Sequence, residues 1–246
     1  MKKYNKQEKK VMMITGASRG LGRYLCQFFA KAGLKIAAIA RNKDDLEELA
    51  KSIISDNPDN IINCYAVDVR DYEGLENAVA DINGQWGTID ILVNNAGCVA
   101  NKSFLEHTKQ DIDDTIDVNL KGVIYPTRIV TPIMIKNKNG HIINISSTSG
   151  LRGLKEYGIY AASKHGVNGF ADSMSKYLIE HNILVTTLCP GGINTTWWDR
   201  MNWPFEKEML IEPKEIAELI RLIISSPAST LYKQVTFFPV CEADLW

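Results

Sequence analysis

Short apolar runs alternate with amphipathic stretches along nearly the whole chain, and that alternation leaves few folds open. Val11–Thr15, Lys35–Ala40 and residues 61–67, 89–93, 141–146, 183–188 and 234–238 read as strands. Between them, residues 24–30, 44–54, 72–83, 108 to about 136, 157–180 and 215–224 carry helical patterns. Gly33 is expected to end the first helix. Pro126 and Pro132 are expected to bend the long fourth stretch, because proline cannot donate to the helical ladder. Strand and helix in strict turn imply a parallel sheet covered by helices on both faces: a three-layer, doubly wound α/β fold of about seven strands. In such sheets a ligand lies outside the carboxyl ends of the strands. Gly16, Arg41, Asp68, Asn94, Ser147 and Pro190 each follow a strand directly and should gather along that edge.

Composition narrows the partners. Among 246 residues, 45% are hydrophobic and 23% charged, with a formal net charge of -1. No basic block lies beyond the first ten residues, so nucleic acid is not the expected partner. Residues 1–10 form a polar tail without the apolar centre of a secretory signal, and no apolar run approaches a membrane span. We read one domain over residues 11–246. The five cysteines are odd in number and lack CxxC spacing, which suggests reduced thiols in a cytoplasmic protein. The four histidines lack ligand spacing, and no metal site is expected.

Two constellations carry chemistry. Gly16, Gly20 and Gly22 sit between a strand and a helix, where glycines let the backbone approach a pyrophosphate and the helix N-terminus offers free N–H groups. Tyr160 and Lys164 are four apart, one turn on a helix face. A phenol has an unperturbed pKa of about 10, and a neighbouring ammonium is expected to lower it. Such a pair suits proton donation to a carbonyl. Ser147, at the carboxyl end of a strand, could polarise that carbonyl; Ser146 is a rival that should point the other way.

Together these motifs resemble the short, single-domain branch of the short-chain dehydrogenase/reductase superfamily, from Lys10 onward. The family's TGxxxGxG stands as Thr15-Gly-Ala-Ser-Arg-Gly-Leu-Gly22, its NNAG as Asn94-Asn-Ala-Gly97, and its YxxxK as Tyr160-Ala-Ala-Ser-Lys164. Its helix asparagine fits Asn119, its serine Ser147, and its PG turn Pro190-Gly-Gly-Ile-Asn-Thr195. The resemblance implies a Rossmann-type fold, a nicotinamide cofactor and reversible hydride transfer between cofactor and a carbonyl/alcohol pair. It implies Tyr160 as general acid, Lys164 as the group that lowers its pKa and holds the nicotinamide ribose, and Ser147 as the carbonyl's partner. Asn119 would hold a water linking Lys164 to solvent, or bond its own backbone at a helix kink.

The cofactor contacts expected on this basis are Gly16, Ser18, Arg19, Gly20, Leu21, Gly22, Arg41, Asp68, Val69, Asn95, Tyr160, Lys164, Ile193 and Thr195. Asp68 and Val69 would meet adenine, Asn95 the adenosine ribose, and Ile193 and Thr195 the carboxamide. The second strand ends at Ala40 and Arg41, where NAD-selective sites usually carry an acid. Arg41, with Arg19 opposite, could pair with a 2′-phosphate, so NADPH is expected over NAD.

The resemblance also implies a mobile lid over the substrate at about 196–211, which here holds Trp197, Trp198, Trp203 and Phe205 and so suits an apolar or ring-bearing small carbonyl substrate. Residues 98–104 and 150–157 should supply the other walls. The expected activity is reduction of a ketone or aldehyde. Alternatives are a 3-oxoacyl-(acyl-carrier-protein) reductase, which needs a basic patch such as Lys136 and Lys138 near the site, an NAD-dependent alcohol dehydrogenase, and a dinucleotide-binding sensor without catalysis. By resemblance the chain is a homodimer or homotetramer, pairing through the stretches at 108–136 and 157–180. The apolar C-terminal tail after Pro239 is expected to pack on a neighbour or on its own surface.

Overall fold

Seven strands form one parallel sheet in the order β3-β2-β1-β4-β5-β6-β7 in the computed structural model, which describes residues 9–200, 205–227 and 229–245. The strands are β1 (Val11–Thr15), β2 (Lys35–Ala40), β3 (Ile61–Ala66), β4 (Ile91–Asn94), β5 (Gly140–Ile145), β6 (Ile183–Pro190) and β7 (Gln234–Phe237). The helices are α1 (Gly20–Lys31), α2 (Lys43–Asp56), α3 (Tyr72–Trp86), α4 (Lys109–Ile116), α5 (Gly122–Asn137), α6 (Gly158–Leu178) and α7 (Pro213–Ser225). The polar tail, up to residue 8, lies outside the described residues, as does Trp203 of the lid.

The period of two along each strand splits the core into two layers. Met12 and Ile14 of β1 and Ile36 and Ala38 of β2 face Leu25 and Phe29 of α1, Leu49 of α2 and Ile220 of α7. Val11, Met13, Ala37 and Ile39 face Leu75 and Ile82 of α3, Met134 of α5 and Leu178 of α6. All five residues of β1 are buried, as expected of a central parallel strand covered on both faces. The chain winds outward from β1 to β3 and then returns to place β4 on the other side of β1. That reversal opens a crevice between the loops after β1 and β4, where open α/β sheets bind ligands.

The long fourth stretch differs from expectation. Pro126 and Pro132 both lie inside the continuous helix α5. The irregular turn comes earlier, as a π-helical segment at Asp117–Lys121 with Asn119 at its centre. A widened turn of this kind re-aims a side chain inward, and Asn119 is fully buried.

Gly33, at φ 90°, follows the last residue of α1's cap, as read from the sequence. The C-terminal segment Val240–Leu245 folds as a 3-10 turn against the chain's own surface, with Glu242 3% exposed. No helix among the described residues is long and apolar enough to cross a membrane.

Candidate active site

The turn after β1 is built by steric necessity. Gly16 and Gly20 have φ of 66° and 54°, in the left-handed region that side chains avoid. A Cβ on Gly16 would meet Ala96 Cα at 2.8 Å, and one on Gly22 would collide with the Gly16 carbonyl. Arg19, at the N-cap of α1, makes no side-chain cap, and the first turn of the helix carries no acid. The N–H groups there remain available to an anion, so the turn fits a pyrophosphate. Ser18 is half-buried on this turn and Arg19 exposed, while Leu21 is buried beneath it.

Asn95 ties the glycine turn to the loop after β4. Its Nδ2 donates to the carbonyls of Thr15 at 2.9 Å and Gly16 at 3.2 Å. Thr15 Oγ1 in turn accepts from the N–H groups of Asn95 at 3.0 Å and Ala96 at 3.1 Å. The two loops of the crevice are thereby tied together, with the Asn95 amide nitrogen bonded to the glycine turn.

At the far end, Arg41 is exposed, with Nη1 3.8 Å from Asp68 Oδ2. Asp68 is gripped by Arg70, whose Nε and Nη2 donate to its two oxygens at 3.1 and 2.8 Å. Burial raises the Asp68 carboxyl, but the Arg70 contacts outweigh it and hold the group below its usual range. Val69 is buried against Gly122 at the start of α5. Arg70 escaped the sequence reading; a basic residue two after the strand-end acid was the available signal.

The reacting end gathers on α6. Lys164 is 4% exposed, donates from Nζ to Ile145 O at 2.9 Å, and lies 5.7 Å from the Tyr160 ring centroid. Burial lowers Lys164 to about 8. Tyr160 is pushed up to about 12 by burial, against a hydrogen bond with Ser147 that pulls it down. This corrects the expectation of a phenol lowered by Lys164: desolvation dominates both groups and moves each toward its neutral form. A phenol at about 12 keeps its proton at neutral pH and so can act as a donor.

Ser147 caps the following turn by accepting from Ser149 N–H at 3.1 Å. Ser146 instead aims its hydroxyl at the Lys164 carbonyl, at 3.4 Å. The side chain of Asn119 is spent on protein: Oδ1 accepts from Cys98 N–H at 2.8 Å, and Nδ2 donates to Cys98 O at 2.9 Å and Ser163 Oγ at 3.0 Å. It pins the β4 loop to α6.

A cleft beside Tyr160 is lined by Val99, Ala100, His107, Thr115, Glu156, Tyr157 and Ile159. Of the walls expected at 98–104 and 150–157, Val99, Ala100, Glu156 and Tyr157 line it; His107, Thr115 and Ile159 were not anticipated. The two described lid tryptophans divide. Trp197 faces Tyr160 at 6.2 Å between ring centroids, whereas Trp198 donates from Nε1 to Ile193 O at 2.7 Å and packs its own segment against that turn. Thr195 lies beside Gly20, so the two ends of the crevice converge. Ile193 bridges to Ile211 across the lid's base. Among the described residues no cluster of three or more His, Cys, Asp or Glu could hold a metal ion.

Fold, glycine turn and Tyr–Lys helix together define an oxidoreductase of the Rossmann type. A short chain dehydrogenase family model matches residues 10–203, and the chain belongs to that family. An uncharacterized oxidoreductase of Staphylococcus saprophyticus is 34% identical over 231 residues, covering 94% of this chain and 97% of that one. The 3-oxoacyl-(acyl-carrier-protein) reductase of Thermotoga maritima is 34% identical over 236 residues, covering 93% and 95%. The alcohol dehydrogenase of Thermococcus sibiricus, solved with 5-hydroxy-NADP, superposes with a TM-score of 0.85 at 26% identity, covering 95% and 97%.

Proposed function

We propose that this protein is an NADPH-dependent reductase of a small ketone or aldehyde. The observation that carries the proposal is the Tyr160 phenol, hydrogen-bonded with Ser147 and one helical turn from a buried Lys164. A carbonyl oxygen held between the Ser147 and Tyr160 hydroxyls would receive the phenolic proton as negative charge develops on it. The Lys164 ammonium stabilises the phenolate left behind. The uncapped N-terminus of α1 would hold the pyrophosphate of a reduced nicotinamide dinucleotide, which would supply the hydride. Lys164 and Tyr160 would hold its ribose, and Ile193 and Thr195 its carboxamide. Asn119 acts as a positioning residue; a water linking Lys164 to solvent would have to bind backbone groups, since the Asn119 side chain is occupied.

The choice of NADPH rests on Arg41. It is exposed at the end of β2, no carboxylate stands at Ala40, and Asp68 is held chiefly by Arg70. The guanidinium is therefore available to a 2′-phosphate. That the Thermococcus sibiricus enzyme was solved with 5-hydroxy-NADP supports this choice. Five free cysteines fit a reducing, cytoplasmic setting. Exposed Ile112 on α4 and Tyr177 on α6 favour a homodimer or homotetramer through these helices.

The Thermotoga maritima relative favours a second reading, reduction of a 3-oxoacyl thioester on an acidic carrier. The basic patch expected for it is on the wrong side. Lys136 and Lys138 close α5 just before β5 begins, at the amino end of the strands, opposite the crevice. One experiment separates the readings: NADPH oxidation followed with free ketones, aldehydes and carrier-bound 3-oxoacyl thioesters. Turnover of free carbonyls supports the first. Turnover of carrier thioesters alone supports the second, and tight NADPH binding without turnover of any carbonyl overturns both.

A further inference from the structure

Glu242 is a buried carboxylate that the chemistry above does not use. It lies in the 3-10 segment after β7, 3% exposed, and its Oε1 accepts the N–H of Gly192 at 3.0 Å. Its two oxygens fill the space above the paired glycines: a Cβ at Gly191 would collide with Oε2, and one at Gly192 would meet Oε1 at 2.7 Å. Phe238 and Pro239 crowd Gly191 as well, and Leu210 crowds Gly192, so the glycines let the turn sit under the C-terminal segment and the 196–211 segment together. Burial raises the carboxyl above its usual range, while the Gly192 N–H and the Arg152 guanidinium pull it down. Arg152 belongs to the loop that follows Ser147, so Glu242 stands between the two loops that flank the reacting end.

The turn it touches is held on several sides. Gly191 N–H donates to Phe237 O at 2.8 Å, and Gly192 O accepts from Ile211 N–H at 3.0 Å. Ile193 O accepts the indole N–H of Trp198 at 2.7 Å. Glu242 supplies the side-chain contact to the peptide from which Ile193, Thr195 and the lid depart.

We infer that Glu242 is a positioning residue, and that the C-terminal segment is a clasp which fixes the Pro190–Thr195 turn, and with it the grip on the nicotinamide end of the cofactor and the seating of the lid. The cofactor half of this rests on reading that turn as the nicotinamide's seat. The lid half does not.

The test compares the full-length wild type with Glu242→Ala and Glu242→Gln. Glutamine keeps a carbonyl acceptor for Gly192 but removes the charge. NADPH affinity is read by nucleotide fluorescence, and lid seating by tryptic cleavage after Arg200 and Lys207 without nucleotide. Losing the acceptor of a buried N–H should weaken NADPH binding about tenfold in Glu242→Ala. Lid cleavage should quicken several-fold, Glu242→Gln should restore both, and kcat at saturating NADPH should hold. Wild-type affinity and wild-type cleavage in Glu242→Ala, with a lowered Tm alone, would overturn the inference. If the wild type itself binds no NADPH, the functional reading fails, and the cleavage rates still decide the clasp. If Glu242→Ala does not fold, Glu242→Asp serves instead: its shorter side chain withdraws the carboxylate from the Gly192 N–H and should quicken lid cleavage, and unchanged cleavage would count against the clasp.

Discussion

Lys164 reaches back along α6 so that its Nζ lies 5.7 Å from the centroid of the Tyr160 ring, while its hydrogen bond goes to a backbone carbonyl, that of Ile145, at 2.9 Å. The ammonium therefore faces the phenol without spending its charge on a carboxylate. Tyr160→Phe keeps the ring and its contact with Trp197 and removes only the hydroxyl. NADPH-dependent turnover should fall by about 10²–10⁴-fold, with NADPH affinity nearly unchanged. Steady-state rates alongside a fluorescence titration check this; substantial remaining turnover removes Tyr160 as the acid.

The same burial has a price in stability that can be measured. Lys164 falls from 10.5 to about 8 in the folded chain. Between those values the unfolded chain binds more protons than the folded one, so this residue makes stability rise with pH across about 8 to 10.5. Below about pH 8 the full cost of the buried charge remains, on the order of 3 kcal/mol. Leaving the buried Ile145 carbonyl without its donor offsets about 1–3 kcal/mol of that. The stability of Lys164→Met relative to the wild type should therefore fall as pH rises from about 8 to 10.5, and the variant should lack turnover throughout. Calorimetry across that range tests it, and a difference that stays level with pH contradicts the assignment.

Arg41→Ala addresses cofactor choice. If its guanidinium pairs with the 2′-phosphate, the variant loses a charge-assisted contact worth about 1.5–3 kcal/mol. NADPH affinity should drop by roughly ten- to a hundredfold while NADH affinity stays level. The loss should shrink at high salt, because the pair is exposed. Equal NADPH and NADH binding in the wild type would exclude this role.

The sheet was legible because its signal is periodic: seven apolar runs and the turns between them fixed strand number, direction and the edge where the site lies. The site residues were legible as a set of positions, while several of their roles were not. The glycine turn could be read, yet Asn95's bond to Thr15 and Gly16 could not, since it joins two loops about 80 residues apart. Pro126 and Pro132 were the visible breakers, but the irregular turn falls at Asp117–Lys121, where Asn119 bonds the Cys98 peptide, a contact with no local signature. The pKa of Tyr160 was read from its charged neighbour, whereas burial governs it, and burial is a property of the packed fold. Glu242 was hidden for a similar reason: only the folded tail brings a carboxylate onto the Gly191-Gly192 turn.

Asn119 offers a test of whether its role is scaffold or relay. Its side chain satisfies both the N–H and the carbonyl of Cys98 and also bonds Ser163. Asn119→Ala leaves a buried peptide without partners, at about 1–3 kcal/mol for each group. Together the two groups amount to about 2–6 kcal/mol, which in a chain of this size corresponds to a fall in Tm of roughly 4–24 °C. Turnover should fall with it, because the Cys98 loop borders Lys164. A residue that served only to hold a proton-relaying water would cost activity and leave Tm in place. A drop in both, with the Tm loss persisting in the Tyr160→Phe background, identifies the bond to Cys98 as the structural element, since the relay has no function once the acid is gone.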